Sequence, residues 1–201
     1  MIKQRILGLA IVLGLTVPVA EKATASTVIS GGITQVDVTA DLTGLGLIGF
    51  PFGSATAADS VFSFPITGGS AIAPDDLLIE HDGSGVTLQA LASLTTQATV
   101  ANFLIDTVAG GVFGDVIGGA NDVFLFEFGS GDDLPGIELE ITSQFATALT
   151  SVFGAPDLTG ATFGYASTSP DLAPVPLPAG LPLLLGGMAI LFGLRRRNQA
   201  S

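Results

Sequence analysis

The chain contains no cysteine and no tryptophan, and it has a single histidine and a single tyrosine. Without cysteine there are no disulfides, no thiol catalysis and no thiolate metal sites. Stability must therefore come from an apolar core rather than from cross-links. Positive charge is just as scarce. The six basic residues are Lys3, Arg5, Lys22, Arg195, Arg196 and Arg197, so no lysine or arginine stands between Lys22 and Arg195. Of the 18 acidic residues only Glu21 lies outside that span, which leaves a body with 17 carboxylates and no fixed cation. Such a body cannot neutralise nucleic-acid phosphates, and no nucleic-acid partner is expected. Nor can it clamp a phosphorylated substrate.

The basic residues sit where export signals carry them. Residues 1–25 read as a signal peptide, with Lys3 and Arg5 as its charged start and Ile6 to Leu15 as its apolar stretch. Ala23-Thr24-Ala25 supplies a small-x-small site, which puts the mature N-terminus at Ser26. The apolar run, roughly ten residues, is short for a membrane span of about 20. The secretion translocon and signal peptidase are the partners such a segment implies.

At the other end, Val175-Pro176-Leu177-Pro178-Ala179 precedes an apolar stretch from Gly180 to Leu194 and the cluster Arg195, Arg196 and Arg197. As a helix, residues 181–194 would reach about 21 Å, short of the roughly 30 Å of a hydrocarbon core. Arginines can snorkel to make up part of the difference, and they hold that end on the cytoplasmic side. The two prolines keep the motif extended, the form a protease cleft binds. In order, length and position, residues 175–201 resemble the VPLPA variant of the PEP-CTERM sorting signal, a tripartite tail of Gram-negative bacteria. That resemblance implies transient anchoring in the inner membrane and processing in or beside the motif by an exosortase-like protease. It also implies delivery to the cell surface or the extracellular space.

Between the signals, residues 26–168 read as one mainly β domain, an antiparallel sandwich or partly closed barrel with one short packed α-helix. Glycine and small polar residues punctuate short runs rich in Val, Ile, Phe and Thr. Strands are expected over 27–40, 60–66, 77–80, 86–90, 98–105, 112–117, 123–128, 137–142 and 161–167. The stretch HDGSG, residues 81–85, reads as a hairpin turn with Asp82-Gly83 at its tip. In GIELEI, Ile137, Leu139 and Ile141 alternate with Glu138 and Glu140, the pattern of a half-buried strand. Val36 and Val38 alternate with polar neighbours in the same way. In SQFATALTSVFG the apolar residues Phe145, Ala148, Leu149, Val152 and Phe153 follow helical spacing, with Thr142 or Ser143 as cap and Gly154 as stop. Residues 169–174 turn polar and proline-containing and read as a linker to the tail.

Catalysis is not expected, because His81 is the body's sole imidazole and no thiol, lysine or arginine accompanies it. The carboxylates point to cations instead. Calcium takes oxygen ligands, and Asp75, Asp76, Glu80 and Asp82, or Asp132 and Asp133, could supply them. The segments FSFPITGGS, IEHDGSGVTL, VANFLIDTVAGGVFGDV and LEITSQFATALTSVFG are similar in order and spacing to HtaA-type domains, secreted β domains some of which bind haem. In those domains a tyrosine early in the domain ligates haem with support from a histidine. His81 stands where that histidine would be, but the only tyrosine, Tyr165, is late in the chain and matches no ligand motif. Haem is therefore not expected, and the resemblance bears on the fold alone. The function that emerges is an exported surface or matrix protein with a structural or adhesive role, exopolysaccharide being a possible partner. The alternative is a surface module that binds calcium, haem or glycan.

Overall fold

The computed structural model describes residues 26–73, 76–130 and 136–173. The signal segment, the sorting motif with its arginines, and Asp75, Asp132 and Asp133 lie outside the described residues. Eleven strands follow in chain order among the described residues: β1 Thr27–Val38, β2 Leu47–Gly53, β3 Thr56–Ala58, β4 Val61–Pro65, β5 Gly68–Ala73, β6 Asp76–Ala90, β7 Ser93–Asp106, β8 Gly111–Val116, β9 Val123–Phe128, β10 Ile137–Ile141 and β11 Thr162–Leu172. One helix, α1 Ser143–Phe153, joins β10 to β11.

All pairings are antiparallel. From β5 to β11 the chain runs as a meander, and β11 then pairs with β1, which also pairs with β5. The sheet thus closes on itself at this level, an antiparallel, mainly β ring as the strand pattern led one to expect. Toward one end the wall divides. There β1 pairs with β4 and β6 with β2, while β3 adds to β4. β2 pairs only with β6 and β3 only with β4, so the two consecutive strands β2 and β3 flank a seam in the wall.

Alternation explains which residues fill the barrel. Phe62 and Phe64 on β4, Ile79 on β6, Phe103 and Ile105 on β7, and Leu139 and Ile141 on β10 are all buried. Phe64 meets Phe103 edge to face at 5.1 Å. As expected, Leu139 and Ile141 point inward, and Val36 and Val38 pack against the core. Each such side chain contributes about 2 kcal/mol relative to exposure.

The helix lies where its spacing put it, with a rotated contact face. Phe145, Ala146 and Leu149 are its buried residues, whereas Val152 is exposed. Phe145 stacks edge to face on Phe126 of β9 at 5.3 Å, and Phe153 in the last turn is half-buried against the core. Thr142 is the N-cap and Gly154, in the left-handed region, the C-cap. The Thr142 hydroxyl accepts from the Phe145 N–H and donates to the Phe124 carbonyl, which ties the helix start to β9. Thr142→Ala is expected to cost about 2 kcal/mol, because a cap and a buried partner disappear together. Urea denaturation measures it, with Thr142→Ser restoring most of the loss.

Several segments depart from the expected strands. β2, β3 and β5 arise in stretches where no strand was expected. β11 continues through Ser169 to Leu172, pairing with β1, so most of the expected linker is sheet. Among the described residues no helix is long and apolar enough to cross a membrane.

Candidate functional site

The sole histidine marks the waist of the barrel. The expected turn at HDGSG is instead a bulge inside the single long strand β6, and the hairpin between β6 and β7 closes later, at Leu91-Ala92. His81 pairs with Phe103 and Gly85 with Ala101, so β6 carries more residues than β7 across this step. The extra residues are held from the neighbouring strands. Asp82 N–H donates to Thr67 Oγ1 at 2.9 Å and Gly83 N–H to Asn102 Oδ1 at 2.9 Å. Asn102, itself at positive φ, donates through Nδ2 to Asp115 Oδ2 at 2.9 Å, and Asp115 Oδ1 accepts from the Asp122 N–H at 3.0 Å. These bonds form a polar belt around the outside of three strands.

Leu77, Ile79 and His81 follow one another on the inner face of β6, and His81 is only 1% exposed. Its Nδ1 lies 3.2 Å from the Phe103 carbonyl and its Nε2 2.8 Å from Thr34 Oγ1. A carbonyl can only accept, so Nδ1 donates to it and carries the hydrogen of the neutral ring. Nε2 faces Thr34 Oγ1, whose hydroxyl donates to Thr168 Oγ1 at 3.0 Å. Burial among apolar side chains holds the His81 pKa below the usual imidazole value, against smaller opposing effects of the Phe103 carbonyl and the Asp82 carboxylate. Among the described residues no buried side-chain nitrogen or oxygen lacks a partner. The imidazole is thus engaged on both sides rather than waiting for a ligand.

Beside it lies an apolar hollow of about 60 Å³, walled by residues that include Phe62, Phe64 and Phe103. Haem does not fit there, since ligand sites for molecules of that class run to at least about 300 Å³. Tyr165 neighbours inward-facing Ala166 on β11, so it belongs to the outer face, away from His81. The histidine and tyrosine cannot share one macrocycle.

The expected cation ligands are not brought together where they can be followed. Asp76 and Glu80 share the outer face of β6 four residues apart, which is about 13 Å along a strand. Asp82 sits in the bulge, its backbone held by Thr67. Among the described residues no group of three His, Asp or Glu converges to hold a metal.

A second hollow, of about 250 Å³, opens at the end of the seam, between the start of β2 and the turn that joins β3 to β4. Its walls come from β2 (Leu47, Ile48, Gly49), from Asp59, Ser60 and Phe62 near β3 and β4, and from the connection after β1 that carries Asp41, Leu42 and Thr43. Asp41 Oδ1 accepts from the Gly44 N–H and the Thr43 hydroxyl, each at 2.8 Å. Those two bonds hold its carboxyl below the usual carboxylate range, so it stays ionised. Sequence reasoning missed this site, because nothing in it is a motif. Comparison with known protein families, curated proteins and solved structures finds no match for this chain.

Proposed function

We propose that this chain is an exported, non-catalytic β-barrel module of the cell surface or extracellular matrix, with a structural or adhesive role. The observation that carries this reading is where the chain leaves the barrel. The Ala173 N–H donates to the Val28 carbonyl at 2.8 Å, so the exit lies beside the strand by which the chain enters. The Val175 motif follows directly after Pro174. A membrane-lodged tail would therefore hold the barrel by this one end and turn the opposite end, with α1 and the seam, outward. The signal segment would be removed by signal peptidase and the tail by an exosortase-like protease. The body's unbalanced carboxylates would keep it hydrated and mutually repelling within a matrix of exopolysaccharide. Its engaged imidazole and lack of other basic groups support a role without turnover.

The test is fractionation of the native host with intact-mass analysis. Wild-type protein is expected in the surface or matrix fraction, beginning at Ser26 and lacking most of residues 180–201. Pro176→Ala combined with Pro178→Ala is expected to leave an uncut chain in the membrane fraction. A wild-type surface protein that retains its tail would reject the sorting reading.

A further inference from the structure

The seam and the interior hollow are two rooms with one partition. Val38, Leu42 and Phe62 line both. Of these, only Leu42 sits on a connection rather than in a strand of the wall. That connection is closed on itself: Leu42 N–H donates to Ala40 O, Leu45 N–H to Asp41 O and Leu42 O, and Gly46 N–H to Thr43 O. It is pinned to the barrel at its two ends, where Ala40 N–H donates to Phe163 O and Gly46 O accepts from Leu91 N–H. Leu42 O also accepts from the Leu47 N–H of β2 at 2.8 Å, so the backbone of residues 41–45 is held to the wall and what can open the partition is the Leu42 side chain, by a change of rotamer. Across from Leu42, β2 presents Gly49, where even a Cβ would meet Phe62 at 3.3 Å and Leu42 at 3.8 Å.

The walls specify the guest. Inside, the polar lining groups are Thr34 and His81, which already bond each other, so whatever enters must be apolar. A hollow of 60 Å³ is well below the roughly 150 Å³ that accepts benzene, so the entering part must be narrow. At the mouth stand Asp41 and Asp59, on a body that carries no fixed cation, so an anionic head is repelled. The outer room alone approaches the lower limit of about 300 Å³ for small-molecule sites, and opening the partition takes the pair past it.

We propose that the β2–β3 seam is the mouth of a binding site for a linear amphiphile with a neutral or cationic head, such as a long-chain alcohol or alkylamine. Its chain passes Leu42 into the phenylalanine-lined interior, and its head stays between Asp41 and Asp59. The test is displacement of the neutral fluorophore N-phenyl-1-naphthylamine from the purified full chain. Dodecanol and dodecylamine are expected to displace it, and dodecanoate to do so at least about tenfold more weakly. Leu42→Ala, which removes the partition, is expected to tighten binding of the fluorophore. Gly49→Ala, which narrows it, is expected to weaken binding about tenfold. Absence of fluorophore binding overturns the proposal. So does equal displacement by dodecanoate, or binding that neither substitution changes, which would place the fluorophore on the outer surface or the tail. Should Gly49→Ala fail to fold, Leu42→Ala still decides the matter.

Discussion

Gly32→Ala is expected to remove about 4 kcal/mol of stability, a large part of the roughly 5–15 kcal/mol available to a domain of this size. Gly32 sits where β1 passes from pairing with β5 to pairing with β4, and its carbonyl accepts from the Ile66 N–H. On its other side β11 closes the ring, with Gly32 opposite Pro170. The residue has φ +118, a region that side chains avoid, and a Cβ there would lie 2.2 Å from the Ser169 carbonyl oxygen. Strain and collision therefore add, and the collision is with backbone that cannot rotate away. Relief comes only by parting β1 from β11, which exposes two strand edges and invites aggregation. Gly118→Ala is the control. Gly118 also has positive φ, +81, but nothing lies within 4 Å of its missing Cβ, so the loss should be only about 1 kcal/mol. Urea denaturation of both variants reads the difference. Equal losses would mean that the β1–β11 closure tolerates the extra carbon and is looser than its geometry implies.

The same closure shows what the sequence disclosed and what it kept hidden. Short apolar runs between glycines marked most of the strands, and the spacing of Phe145, Leu149 and Phe153 marked the helix, because both are local patterns. β2 was not legible, since Gly49, Pro51 and Gly53 are breakers in isolation. They are admissible because β2 pairs on one edge only, where a proline loses no ladder bond on its free side. The HDGSG stretch has turn chemistry that serves a bulge equally well, and what decides between them is Asn102, on another strand. One clue to the candidate site was present but unused. His81 continues the alternation of Leu77 and Ile79, which already placed it inward. The seam left no such trace, because it depends on two strands failing to pair.

Acidification from pH 7 to pH 5 should destabilise the folded protein through His81. The unfolded chain takes up a proton near the ordinary imidazole value of 6.5, whereas the folded barrel holds the group below it. Stability from this group is therefore complete above about pH 6.5 and falls as the pH drops, by about 1.4 kcal/mol per unit, until the folded value is passed. The cause is burial: a second proton would place a charge among Phe64 and Phe103. Among the described residues there is no lysine, arginine or second histidine, and of the two groups that favour the proton the Asp82 carboxylate, in the bulge, acts less than the Phe103 carbonyl. The body's carboxylates act in the opposite direction, because protonating them relieves their mutual repulsion. His81→Gln separates the two effects. It keeps a donor and an acceptor in the network but cannot titrate, so its stability should hold or rise from pH 7 to pH 5 while the wild type falls. Parallel stability curves for the two proteins would show that the ring is not sealed in apolar surroundings, and the waist of the barrel would then have to admit water.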